Sequence, residues 1–254
     1  MDKSLQKPHV MLEIRLPQVV TDSDSQSAYD ALYSETDISQ RQSFYLWLSE
    51  LFDLRPDERY LDISCGRAQL VKLAHQKGAL AYGMDLSHTA LKTGGRLNQN
   101  RLVTANSQLL PYAAGSFDVI SNIGSLEHYV DMKAAVREMT RVLKPGGRAY
   151  VLVPNTFSLL TNIWIAFRQG RTSIDQQPIQ RYAARLEWQQ LLEESGLVVH
   201  KVHKYEREWP RTRADLAYYL RHPKALARLL LTPFIPLNLA FCFVFVTRKP
   251  QATT

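Results

Sequence analysis

Leu61-Asp62-Ile63-Ser64-Cys65-Gly66-Arg67-Ala68 is the stretch whose reading decides the fold. Tyr60–Ile63 is short and apolar, as a buried strand is. Small residues follow at once, and Ala68–Gln76 carries a helical pattern. A strand that ends in small residues and opens into a helix turns free backbone N–H groups toward a ligand, and glycine lets the backbone approach it. The next strand, Leu80–Met84, ends at Asp85, 19 residues after Gly66. In doubly wound folds an acid there accepts hydrogen bonds from both hydroxyls of a ribose. Dinucleotide features are missing: Gln69 stands where G-x-G-x-x-G needs its third glycine, and Ser64 and Ala68 replace others. Without a pyrophosphate to cradle, fewer glycines are needed, so the pattern points to a nucleoside ligand without phosphate.

Outward from this turn, strands and helices alternate. Ser87–Leu97 reads as a helix with Ser87 as N-cap. Leu102–Ala105 and Phe117–Ser121 read as strands. Met132–Leu143 is a helix stopped by Lys144-Pro145-Gly146-Gly147, and Arg148–Val153 is a strand. Such alternation implies right-handed βαβ units and a parallel sheet. After Pro154 we expect an apolar helix over Phe157–Phe167, a polar loop over Arg168–Gln180, a helix over Ala183–Glu194 and strands at Leu197–Val202 and Phe241–Val246. Before Tyr60, residues 1–38 read as a polar extension with a loop at Asp22–Ser25, and 39–53 as an amphipathic helix. The organisation expected is an extension over 1–38, partly a lid, then one domain over 39–254 with inserts at 155–182 and 205–238.

Composition and charge bound the partners. The chain has 254 residues, 45% hydrophobic and 22% charged, which excludes disordered and coiled-coil classes. Two cysteines, Cys65 and Cys242, are too few for a disulfide framework or a thiolate zinc site. Met1–Gln18 has no apolar leader segment, so a cytoplasmic location is expected. The net charge of +7 lies wholly in residues 201–254, which hold ten Lys/Arg and three acids. Residues 229–247 carry no charge and approach the ~20 residues of a membrane span. Pro233, Pro236 and Asn238 interrupt that run, so it is not read as a span. Three readings of the insert stay open: contact with an anionic membrane surface, recognition of an anionic acceptor, or a lid. Nucleic acid is disfavoured, because the basic residues alternate with aliphatics rather than with stacking rings.

Beyond the first turn, the motifs resemble those of the class I S-adenosylmethionine-dependent methyltransferases, of the type 11 group. Leu61–Gly66 resembles the first motif, and Tyr82-Gly83-Met84-Asp85-Leu86-Ser87 the second. Leu109-Leu110-Pro111-Tyr112 with Gly115-Ser116-Phe117-Asp118-Val119-Ile120 resembles the fourth-strand segment. Arg141-Val142-Leu143-Lys144-Pro145-Gly146-Gly147 is similar to the late motif. The resemblance implies a Rossmann-like, doubly wound, seven-stranded α/β sheet with an antiparallel last strand. It implies S-adenosyl-L-methionine as cofactor and methyl transfer to a small-molecule or lipid-linked acceptor, oxygen first. By position, Asp62 would orient the turn and the methionine ammonium, and Ser64 and Gly66 would pass closest to the methionine. Asp85 would hold the ribose, with Leu86 against the adenine. Asn106, where the family usually has Asp, would accept from the adenine amine, with Ser107 beside it. Asn122, Ile123 and Gly124 would line the sulfonium, and Tyr33 and Tyr45 would close over the cofactor.

His128, in Ser125-Leu126-Glu127-His128-Tyr129, lies beyond the fourth strand and is the candidate general base. The plainer reading is that Glu127 and His128 hold the loop. No metal is expected: some quinone O-methyltransferases of the family have a further acid where Gly124 stands. The other functions left open are an S-adenosylmethionine-binding protein without methyl transfer, another reaction on the same fold, and a nicotinamide-dependent reductase. The absent third glycine and Lys144–Gly147 argue against the last.

Overall fold

A computed structural model describes residues 10–36, 38–93, 101–174 and 177–251. Nine strands occur among them: β1 (Leu12–Arg15), β2 (Arg59–Ile63), β3 (Leu80–Asp85), β4 (Leu102–Thr104), β5 (Phe117–Ile123), β6 (Leu143–Pro154), β7 (Ile179–Tyr182), β8 (Val198–Tyr205) and β9 (Cys242–Arg248). Seven of them form one sheet in the order β4-β3-β2-β5-β6-β9-β8. All neighbours are parallel except β9, which runs antiparallel to both β6 and β8. This is the expected doubly wound sheet with its reversed strand.

Side chains alternate between the two faces of a strand, so each strand feeds two apolar layers. Leu61, Ile63, Ile120, Phe243 and Phe245 pack on one face against α5 (Met132–Val142) and α7 (Arg185–Glu194). Tyr60, Val119, Cys242 and Val244 pack on the other against α2 (Gln42–Phe52) and α3 (Gln69–Gln76). The parallel register sets Asp62 beside Gly83 and Ser121, and Ile63 beside Met84 and Asn122. Ser64, Asp85 and Gly124 therefore emerge together at the carboxyl edge, where ligands gather in open α/β sheets.

Four expectations are corrected. Asp22–Ser25 is no loop but the first turn of α1 (Asp22–Glu35). Thr21 and Asp24 form a capping box there, each side chain bonded to the other's backbone N–H. Arg168–Gln180 is not all loop: β7 begins at Ile179 and pairs with β1, Leu12 opposite Tyr182. Phe157–Phe167 is no continuous helix. It makes a wide turn at Leu159–Ile163, then the short α6 (Trp164–Gln169), and Phe157, Trp164 and Phe167 stay exposed. Lys144–Gly147 interrupts β6 from within, where the pairing with β5 jumps from Leu143↔Phe117 to Arg148↔Val119.

The helix expected from Ser87 is seen as α4 (His88–Thr93), and Ser87 Oγ accepts from the Ala90 N–H at 3.1 Å. Its continuation to Leu97 lies outside the described residues. In the basic insert, Thr212 caps α8 (Arg213–Arg221), and α9 (Pro223–Leu231) follows. Asp215 accepts from Ser43 N–H at 2.9 Å and pins α8 to α2. No helix among the described residues is long and apolar enough to cross a membrane.

Candidate cofactor and acceptor site

The turn after β2 is built on left-handed backbone. Ser64 has φ +58°, Gly66 +51° and Ala68 +56°. A non-glycine residue there costs on the order of 1–3 kcal/mol, so Ser64 and Ala68, which replace glycines of the dinucleotide pattern, are the two strained positions of the turn. Ser64 gains an anchor in exchange: its Oγ hydrogen-bonds the Tyr129 hydroxyl at 2.6 Å. Gly66 donates its N–H to Asp85 Oδ2 at 2.8 Å, and Ser87 donates to Oδ1 at 2.8 Å. These bonds hold the Asp85 carboxylate in the wall of a cavity. A Cβ at position 66 would lie 2.9 Å from the Tyr33 hydroxyl, so Tyr33 covers the turn closely.

Two connected cavities open along this edge. The smaller, about 80 Å³, runs between Asp85, Leu86, Asn106, Ser107 and the face of α1. The larger, about 410 Å³, extends from Asp62, Gly66 and Ile123 toward the end of β8. Tyr33, Ser64, Gly124 and His128 belong to both walls and mark the junction. Tyr45 lines the larger cavity, its hydroxyl accepting from the Gln40 N–H at 3.0 Å.

Helix α1 closes the smaller cavity through polar contacts. Asp22 accepts from Asn106 Nδ2 at 2.7 Å and Gln108 Nε2 at 2.5 Å. Gln26 donates to the Leu86 carbonyl at 3.0 Å, and Asp30 accepts from Ser87 Oγ at 2.5 Å. Asp22, Tyr29 and Gln108 are wall residues that sequence reasoning did not assign to the cofactor; the Thr21-x-x-Asp24 cap was the available signal for the helix carrying the first two. Asn122 departs from expectation. It lines neither cavity and sits beneath Tyr129, donating to that hydroxyl at 2.6 Å.

Two buried carboxylates face one another across the turn. Burial pushes Asp62 up to about 7, against a 2.5 Å hydrogen bond from Ser121 Oγ and with the Asp85 charge adding to the rise. Burial likewise lifts Asp85 to about 6, against the N–H groups of Ser87 and Gly66. A raised folded-state pKa means the folded chain binds more protons than the unfolded one between about pH 4 and 7. The stability held below pH 4 is therefore lost as pH rises through that window. Asn at 62 keeps an acceptor for Ser121 without a charge. Unliganded Asp62→Asn should match wild type at pH 4 and melt at least about 3 °C higher at pH 8, roughly 1 kcal/mol for a chain of this size. An equal difference at both pH values would show that Asp62 ionises in the fold without penalty.

His128 sits on a single 3-10 turn, Leu126–His128, clamped by the β1–β7 ribbon. Its Nδ1 bonds the Ile179 carbonyl. A carbonyl only accepts, so Nδ1 carries the hydrogen and Nε2 keeps a lone pair. Arg181, buried and paired with Glu13 at 2.6 Å, donates to the carbonyls of Glu127 and Tyr129 on either side. Burial, aided by the Arg181 charge, pulls His128 down to about 4, so the ring is neutral at pH 7. Glu127 Oε1 lies 3.7 Å from Nε2, placed to stabilise an imidazolium. Among the described residues no cluster of His, Cys, Asp and Glu could hold a metal ion.

Residues 61–151 match the family described as "Methyltransferase domain". A demethylmenaquinone methyltransferase of Bacillus mycoides is 30% identical over 151 residues, 56% of this chain and 62% of that protein. The chain thus spans less than two thirds of the length of this relative. The solved [4+2]-cyclase SpnF superposes with a TM-score of 0.63 at 18% identity, covering 94% of this chain and 99% of the other. Burkholderia thailandensis 1,6-didemethyltoxoflavin-N1-methyltransferase, solved with bound 1,6-didemethyltoxoflavin and S-adenosylhomocysteine, superposes with a TM-score of 0.61 at 14% identity, covering 95% of each chain. Residues 61–151 thus match the methyltransferase domain family, and the fold of the chain is shared with solved S-adenosylhomocysteine-bound methyltransferases. The fold by itself does not name the reaction, since a cyclase shares it.

Proposed function

We propose that the chain transfers a methyl group from S-adenosylmethionine to an acceptor held in the larger cavity. The observation that carries this is the junction: the wall at Ser64, Gly124 and His128 is shared by the recess at Asp85 and a chamber of about 410 Å³. Asp85 accepts from the ribose hydroxyls, Leu86 backs the adenine, and Ser64 and Gly66 run beside the methionine. Asp62 faces its ammonium. Asp22, hydrogen-bonded to Asn106, brings to the adenine end the carboxylate that position 106 lacks. Bound there, S-adenosylmethionine supplies an already activated methyl, so placement and exclusion of water are the main tasks left to the protein. Tyr33 and α1 cover the site. His128 Nε2 takes the proton of an acceptor hydroxyl, and Glu127 stabilises the resulting imidazolium. The relative named for demethylmenaquinone supports a lipid-linked acceptor, and the neutral His128 imidazole supports a hydroxyl oxygen as the accepting atom. Incubation with methyl-labelled S-adenosylmethionine and a bacterial lipid extract should give a labelled lipid. Label confined to a water-soluble fraction would overturn the lipid-linked assignment.

The basic insert supports contact with an anionic bilayer surface. Arg228 Nη2 reaches Thr161 Oγ1 at 2.7 Å, joining α9 to the turn before α6. Trp164 and Phe167 are exposed on α6, and Leu230, Leu231 and Phe234 at the end of α9. Thr161 and Asn162, just before Trp164 in the chain, line the larger cavity, so an acceptor leaving a bilayer would meet it directly. Arg211 is held by Glu50 and Arg228 by Glu206, whereas Arg213, Arg221 and Lys224 are exposed. At about 1 kcal/mol per basic residue near the surface, reversing these three to Glu should weaken binding to vesicles containing phosphatidylglycerol at least about 100-fold. Binding should also fall between 0.1 and 1 M salt, as the Debye length shrinks from about 10 Å to about 3 Å. Co-sedimentation that is absent at low salt, or equal with purely zwitterionic vesicles, would remove the membrane reading.

A further inference from the structure

Arg207 is a cation without a direct salt bridge in the wall of the larger cavity, its charge felt by the neighbouring Glu206 carboxylate. It follows the end of β8 by two residues, at the same carboxyl edge as the rest of the site. It is half-buried, and its Nε is shut off from solvent with no hydrogen-bond partner. The acids on either side are engaged elsewhere. Glu206 is buried and faces Arg228 at 3.5 Å. Glu208 accepts from the Tyr205 hydroxyl at 2.7 Å and lies 3.6 Å from Arg41 Nε. Arg207 enters no ion pair among the described residues. A guanidinium withdrawn from water is costly unless paired, and its planar fork matches an oxyanion. The nearby wall is aromatic, with Phe44, Tyr45, Tyr205 and Phe241.

We infer that the larger cavity takes an acceptor with an apolar, ring-bearing body and an oxyanion, carboxylate or phosphate, which docks on the Arg207 guanidinium. A neutral acceptor would leave this charge unpaired and more deeply desolvated. The inference rests on the reading of this cavity as the acceptor site. It narrows that reading to a charged acceptor and makes Arg207 a specificity-determining residue.

The test is calorimetric titration of the full chain saturated with S-adenosylhomocysteine. Three probes share one ring system: 1-hydroxy-2-naphthoate, 1-naphthyl phosphate and the neutral 1-hydroxy-2-naphthamide. At least one anion should bind ten or more times more tightly than the amide; which one separates carboxylate from phosphate. Arg207→Gln should abolish that preference, and Arg207→Lys should retain part of it. The S-adenosylhomocysteine affinity and melting temperature of both variants should stay near those of wild type. Wild-type protein that binds anion and amide alike, or binds neither, overturns the inference. So does a preference that survives in Arg207→Gln. A tenfold loss of S-adenosylhomocysteine affinity in Arg207→Gln also overturns it, by assigning the guanidinium to the methionine carboxylate. Wild-type protein that takes no S-adenosylhomocysteine refutes the methyltransferase reading itself, a result distinguishable from all the others.

Discussion

Replacing Asp85 by alanine should lower the affinity for S-adenosylhomocysteine by about 10²–10⁴-fold. Two ribose hydroxyls lose a charged acceptor, at roughly 1.5–3 kcal/mol each, and 1.4 kcal/mol is a factor of ten. The substitution also strips the Gly66 and Ser87 N–H groups of their partner, loosening the turn itself. Asp85→Asn keeps one acceptor oxygen and the side-chain shape but sets its NH2 against the Gly66 or Ser87 N–H, so its loss should be smaller than that of alanine. Calorimetry that finds Asp85→Ala binding like wild type would remove Asp85 from the site.

His128→Ala should reduce turnover by about 10²–10⁴-fold, the range of a positioned general base, while S-adenosylhomocysteine affinity changes less than about twofold. The pH profile makes the assignment sharper. Burial holds His128 down to about 4, so its lone pair persists well below neutrality. With S-adenosylmethionine held at saturation, the acid limb of kcat/KM for the acceptor should therefore fall near pH 4, whereas an ordinary histidine would lose activity near 6.5. A variant that melts at lower temperature with turnover intact would show that the imidazole serves only to tie the Leu126–His128 turn to Ile179.

The parts of the molecule legible in its sequence are those whose cause is local. The strand into Ser64–Gly66 and the acid at Asp85 lie within 25 residues of each other, and the structure joins them by one hydrogen bond from the Gly66 N–H. The reversed last strand came from a resemblance and is present as β9 between β6 and β8. The first turn of α1 reads as a loop because Asp22, Ser23, Asp24 and Ser25 show no apolar periodicity. It is held by its cap and by polar bonds to residues 86–108, which no local pattern reveals. Ribbon β1–β7 went unseen for the same reason: its partners lie about 165 residues apart, and each strand has four residues. Asn122 carries the right residue type at the right place, yet its amide turns to Tyr129 and away from the cavity. Arg207 had no motif to announce it. Only the pairing of its acidic neighbours with other cations makes its isolation visible.

The central claim is that this carboxyl edge binds a phosphate-free nucleoside bearing a methionine tail. Calorimetric titration of the purified chain with S-adenosylhomocysteine, set beside an identical titration with a nicotinamide dinucleotide, tests it most directly. The expected result is saturable binding of S-adenosylhomocysteine, one per chain, tightening from pH 6 to 8 as Asp62 sheds its proton opposite the ligand's ammonium, with no heat from the dinucleotide. Binding of the dinucleotide in its place, or of neither ligand, would contradict the account.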